Sequence, residues 1–90
     1  MNADIEAEIR EIVGAAAKRI EATIREARRS GKYGPFAWAT ESRRHQLTHA
    51  RDHIEALLSG TDSGEPDLAH ALCRLSIDAA LEDREKGGGR

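Results

Sequence analysis

The first 29 residues carry one apolar stripe, and it constrains the fold more than any other feature of the chain. Ile5, Ile9, Ile12, Val13, Ala16, Ile20, Ile24 and Ala27 recur at spacings of four, three, one, three, four, four and three. At ~100° per residue these positions fall on one side of an α-helix. The pattern predicts a helix from about Asp4 to Arg29. Asp4, Glu6, Glu8 and Glu11 crowd its start, and Arg25, Arg28 and Arg29 crowd its end. That order suits the helix dipole. Glu6–Arg10 and Glu21–Arg25 add pairs one turn apart, and Gly31 is the expected stop.

Two more helical patterns follow. The second is expected from about Thr40, as N-cap, to Ser59, with Gly60 as its stop and Leu47, Ala50, Ile54, Leu57 and Leu58 as its core stripe. The third starts near Pro66, a residue suited to a first helical position, and runs to about Glu85. It is apolar on two sides. Leu68, Ala71, Leu72, Leu75 and Ala79 form one stripe, and Cys73, Ile77, Ala80 and Leu81 form another. A helix apolar on two sides wants two neighbours. A chain of 90 residues also buries only a modest core. Both considerations favour self-association, with Cys73, Ile77 and Leu81 as the expected interface of a homodimer in which both chains share one helical bundle. The alternative is that Ile77 and Leu81 are simply exposed.

The expected fold is therefore all-α, a three-helix unit made of one long helix plus a helical hairpin, in a single domain over residues 1–86. Residues 87–90, three glycines and an arginine, read as a disordered tail. Charged residues make up 33% of the chain and hydrophobic ones 39%, the balance of a water-soluble globular domain. A net charge of −2 gives no strong nucleic-acid signal. No apolar run is long enough to span a membrane. The polar, acidic start lacks the basic and apolar regions of a signal peptide. The single cysteine supports no disulfide framework, and a cytoplasmic location fits.

Several side chains could carry chemistry. Glu41, His45, His49 and His53 lie four residues apart, so they stack on one helix face. An HxxxH pair is a usable metal geometry. This face lies opposite the Leu47/Ile54/Leu58 stripe, however, and is expected to be solvated. Magnesium prefers oxygen ligands. Acidic pairs one turn apart are Glu8/Glu11, Asp52/Glu55, Glu82/Glu85 and Asp78/Glu82, of which Glu8/Glu11 and Glu82/Glu85 sit near helix ends and read as solvent-facing charge. Asp78 projects near an apolar stripe and is expected to be partly buried, with Arg74 as its simplest partner. Cys73 reads as a small buried apolar residue.

All three aromatic residues fall in one loop, Lys32-Tyr33-Gly34-Pro35-Phe36-Ala37-Trp38. The stretch Gly31-Lys32-Tyr33-Gly34 with Trp38 resembles the KYGxxNW signature of a phage-rich family of small helical proteins, the dATP/dGTP diphosphohydrolase N-terminal domains, also described as MazG-like. Ala50 to Gly60 resembles that family's ALRHLLAFLxG helix, with His53 on its histidine. Ser63 to Ala71 resembles its SGLPHLAHA segment, with His70 on the second histidine. Ala37, Asp52 and Asp67 depart from the pattern at three polar positions. The resemblance covers about residues 20 to 82. It implies a magnesium-dependent pyrophosphohydrolase that splits a (d)NTP to (d)NMP and pyrophosphate in host bacterial cytoplasm. Lys32, Tyr33 and Trp38 would bind a purine nucleotide, Asp78, His53 and His70 would be catalytic, and Asp52/Glu55 with Asp78/Glu82 are the nearest stand-ins for the paired acidic metal ligands of MazG-type enzymes. The departures leave room for a protein that has lost this activity. The alternative is a non-catalytic helical phage protein that binds a host or phage protein through the histidine face or the second stripe of the third helix. The loop has a structural reading too, as a plug in which Phe36 and Trp38 supply core, Gly34 makes the turn and Pro35 stiffens it.

Overall fold

The computed structural model describes residues 2–60 and 66–87. Three helices are present: α1 (Asn2–Arg29), α2 (Arg43–Ser59) and α3 (Asp67–Gly87), with a short 3-10 turn at Ala37–Thr40. No strand occurs among the described residues. The all-α three-helix unit expected from the periodicity is therefore what forms. α3 packs against both α2 and α1.

Helix ends follow local chemistry. Gly31 and Gly60 stop α1 and α2 with φ of 77° and 72°, the left-handed region that glycine enters without steric cost. The cap of α2 is Ser42, not Thr40. The Ser42 hydroxyl accepts the His45 backbone N–H at 3.0 Å, and Thr40 closes the preceding 3-10 turn. α3 begins at Asp67, one residue after Pro66, whose carbonyl accepts the His70 N–H at 3.0 Å. Gly87 is the last helical residue of α3, not the first of a tail. The segment Ser63-Gly64-Glu65 and residues 88–90 lie outside the described residues.

The apolar pattern of α2 does not face the core. Leu47, Ile54, Leu57 and Leu58 are exposed, Leu58 at 83%. Only Ala50 of that stripe is buried. The face expected to be solvated is instead turned inward: Gln46 is fully buried, and His45, His49 and His53 are half-buried. Polar pairing is the reason. Side chains on this face find hydrogen-bonding and charged partners across to α3, and those bonds set how α2 is rotated.

α3 inverts the expectation in a related way. Its second stripe is covered within the chain: Cys73 and Leu81 are buried, and Ile77 and Ala80 are half-buried. Cys73 and Leu81, expected at a dimer interface, are thus already enclosed. Leu68 and Leu75 of the first stripe remain exposed.

α1 is anchored by its second half only. Ala16, Ala17, Ile20, Thr23 and Ala27 are half-buried, whereas residues 2–15 are exposed throughout. The radius of gyration of 15.0 Å exceeds the ~12 Å of a compact chain of this length, as a projecting helical arm requires. Among the described residues the buried apolar set is Ala50, Ala71, Cys73 and Leu81. That is a small core for three helices.

Candidate functional site

A concavity of about 600 Å³ lies where the end of α1, the aromatic loop, α2 and α3 meet. Lys32, Tyr33 and Trp38 line it from the loop, and His53 and His70 line it from the two helices. These are five of the residues singled out from the sequence. The loop residues, His53 and His70 are well separated along the chain, and the fold brings them to one cavity.

His53 is held in a defined orientation. Its Nδ1–H donates to Asp67 Oδ1 at 2.7 Å, and its ring meets the His70 ring edge-on, with centroids 5.0 Å apart and planes at 86°. With Nδ1 as donor, Nε2 is the basic nitrogen of the neutral ring. Asp67 sits in the first turn of α3, where the helix dipole favours a carboxylate. Asp67 therefore fixes the orientation of the His53 ring.

The loop places its Phe36 and Trp38 rings differently. Phe36 is 64% exposed and supplies no core. The left-handed residue of the turn is Phe36 itself, at φ 55°, and not Gly34. Trp38 is half-buried, with its ring 5.8 Å from that of Phe36, and the Arg84 guanidinium lies 5.0 Å from its centroid. A cation over an indole face is an attractive arrangement, and it fixes one side of the ring. The Lys32 ammonium lies 5.7 Å from the Tyr33 ring centroid. Arg28 adds a second positive residue to the wall.

The candidate metal carboxylates do not share this cavity. The partner of Asp78 is Arg43, not Arg74: the guanidinium donates to both carboxylate oxygens, at 2.8 and 3.0 Å. This bidentate bond holds the Asp78 carboxyl below the usual carboxylate range and Arg43 above its own. Arg43 also reaches Glu82 at 3.5 Å and Glu85 at 3.4 Å. One guanidinium thus occupies the place among three α3 carboxylates that a cation would need. Asp52 and Glu55 lie on an exposed face beside Arg51, at 3.6 and 3.7 Å. Asp52 is nine residues along α2 from Arg43, an axial distance of about 13 Å. No group of three or more His, Cys, Asp or Glu residues able to hold a metal occurs among the described residues. Among the described residues, the four candidate carboxylates do not come together around a place for a magnesium ion.

One polar residue that sequence reasoning passed over, Gln46, organises the seam beside the cavity. Buried Gln46 accepts from Arg74 at 2.9 Å and donates to Glu41 at 2.6 Å. His49 is half-buried nearby, and burial together with the Arg74 charge pushes its pKa down. His45 stands 3.4 Å from Glu41. Gln46 lies on the helix face between His53 and Ala50, and its one sequence signal is that it is a polar residue among positions that face inward. Nothing in the spacing marked Arg43 as the partner of Asp78.

Comparison with known proteins finds no family model that matches the chain, and no curated protein or solved structure that matches it significantly.

Proposed function

We propose that the cavity binds a purine nucleotide, and that the chain is a small relative of the MazG-like nucleotide pyrophosphohydrolases in which hydrolysis has been lost. The observation that carries this reading is the convergence of Lys32, Tyr33, Trp38, His53 and His70 on one cavity. Its volume, about 600 Å³, lies in the range of small-molecule sites. Aromatic faces recognise a base without needing its hydrogen-bonding edge, and Tyr33 and Trp38 supply two. Lys32 and Arg28 supply positive charge for phosphate. His53, oriented by Asp67, offers a nitrogen that can donate to or accept from the ligand. The loss of turnover rests on Arg43, which neutralises the carboxylates that a metal-dependent reaction would use.

The test is calorimetric titration with dGTP and dATP, with and without magnesium, alongside an assay for released pyrophosphate. Binding without turnover is expected, weakened about tenfold by Lys32→Ala and by a similar factor by Tyr33→Ala, since one stacked base contributes ~1–3 kcal/mol. Silence with every nucleotide would overturn the binding site. Magnesium-dependent release of pyrophosphate would overturn the loss of hydrolysis.

A second reading, a helical module that binds protein, draws on a different observation. Thirteen large apolar side chains are exposed among the described residues, against four buried apolar ones. That imbalance leaves surface for a partner to cover.

A further inference from the structure

Two of the exposed apolar surfaces outside the cavity differ in the charge beside them: one is flanked by carboxylates, and the other has arginines along one end, with Asp52 and Glu55 beside Arg51. The first is the arm formed by residues 2–15 of α1. Ile5, Ile9, Ile12 and Val13 lie on one side of it, all exposed, Ile12 at 69%. They are flanked by four carboxylates, Asp4, Glu6, Glu8 and Glu11, against a single arginine, Arg10. The same stripe continues into the second half of α1, which is anchored to the rest of the chain. The arm is therefore a helix prepared for packing whose partner is missing over its first half.

The second surface is the outer ridge of α2, made of Leu47, Ile54 and Leu58. Arg44 and Arg51 border it. With Arg43, Leu47 and Thr48 they line an open hollow of about 490 Å³. The ridge lies about 120° around α2 from His53, which faces the cavity that α1 helps to form. The ridge and the cavity that the second half of α1 helps to form are thus on different sides of α2. From Leu47 to Leu58 the ridge is about 16 Å long, and the apolar part of the arm, Ile5 to Val13, is about 12 Å long.

We propose that two copies of this chain exchange arms: the acidic arm of each lies on the arginine-bordered ridge of the other, through two identical contacts about a two-fold axis. Charge selects this arrangement over its symmetric competitors. Pairing arm with arm would set four carboxylates against four, and pairing ridge with ridge would set arginines against arginines. Of the three pairings, arm on ridge is the one that sets carboxylates against the arginine-lined hollow, and the apolar part of the arm is short enough to lie along the ridge. The ion pairs that Arg51 makes at the surface, to Asp52 and Glu55, are exposed and weak, so this side chain can turn toward a new partner at small cost. A reciprocal contact also uses each patch once and closes, which avoids open polymers.

The arrangement makes an unusual demand on mutants. Light scattering should give twice the chain mass for the wild type. Ile9→Asp with Ile12→Asp should give a monomer, because both copies lose their arm. Leu47→Asp with Leu58→Asp should also give a monomer, because both copies lose their ridge. Mixed at millimolar concentration, the two variants should recover a dimer, since an intact arm meets an intact ridge once per pair. All these positions are exposed, so circular dichroism should show unchanged helicity. Should either variant lose its helices, Glu8→Arg with Glu11→Arg and Arg44→Glu with Arg51→Glu test the same pairing by charge alone, each dissociating by itself and the two associating when mixed. A monomeric wild type would overturn the proposal. So would an arm variant or a ridge variant that stays dimeric alone, or a mixture that stays monomeric.

Discussion

α3 has two neighbours and is held to them by different means. Against α2 the contacts are polar and specific: Arg43 on Asp78, Gln46 between Arg74 and Glu41, and His53 on Asp67. Against α1 the residues available are small or apolar, with Ala16, Ile20 and Ala27 half-buried on one side and Cys73 and Leu81 buried on the other. A polar seam fixes register, because each donor and acceptor must find its own partner, and a mismatched buried group costs ~1–3 kcal/mol. An apolar seam tolerates sliding and repacking much better. The hairpin of α2 and α3 is therefore the rigid part of the molecule, and α1 is the part that can be loosened.

The largest separation between the two seams should come from a pair of single substitutions. Gln46→Leu removes the acceptor of Arg74 and the donor to Glu41 and puts a branched apolar group in their place. It should cost about 2 kcal/mol of unfolding free energy, since hydrogen bonds to charged groups contribute more than neutral ones. Ile20→Ala trims a half-buried side chain and should cost about 1 kcal/mol, below the range for full burial. Urea titration followed by circular dichroism measures both. Equal losses, or a larger loss for Ile20→Ala, would remove the distinction drawn between the seams.

Acid should act on the polar seam first. The pKa of Asp78 is depressed by the Arg43 guanidinium, so the unfolded chain binds its proton more readily than the folded one. The stabilisation is complete above the unfolded carboxylate value, near 4, and is lost as pH falls through the lower folded value. Asp78→Asn should be less stable than wild type at neutral pH, and its thermal midpoint should change less between pH 5 and pH 2. A variant with the wild-type acid response would show that Asp78 is not the group that titrates. His49 works in the same direction at higher pH. Its folded pKa is lowered, so its contribution is complete above about 6.5 and declines as pH falls below that value.

How far the sequence could be read depended on which kind of seam was involved. The stripe of α1 and the glycine stops at Gly31 and Gly60 were legible because periodicity and positive φ are local properties. The rotation of α2 was not. Leucine periodicity suggested a core face at Leu47, Ile54 and Leu58, but the inward face was decided by bonds from Arg43, Gln46 and His53 to residues 14 to 35 positions away. No spacing rule within one helix encodes such pairings. The site was legible in part. Lys32, Tyr33, Trp38, His53 and His70 do share a cavity, whereas Asp52 and Glu55 lie on an exposed face and Asp78 is taken up by Arg43. Asp67 was visible only as a departure from a motif, and its role emerged from its contact with His53.

Cys73 gives the smallest effect and the sharpest local probe of the apolar seam. The thiol is buried on the side of α3 that lines the cavity with α1, and burial pushes its pKa up, with Arg74 opposing only in part. Both factors slow alkylation, because the thiolate is the reacting species and it must be reached. Native protein should therefore react with iodoacetamide far more slowly than urea-unfolded protein. If exposure of Cys73 requires α1 to lift from α3, then Ile20→Ala should speed labelling about fivefold, the factor that ~1 kcal/mol sets in an opening equilibrium. Gln46→Leu, which weakens the other seam more, should leave the native labelling rate nearly unchanged under conditions where global unfolding is rare. The opposite order, with Gln46→Leu accelerating labelling and Ile20→Ala not, would mean that the hairpin opens before the arm-bearing helix does. The division into a rigid polar seam and a loose apolar one would then have to be reversed.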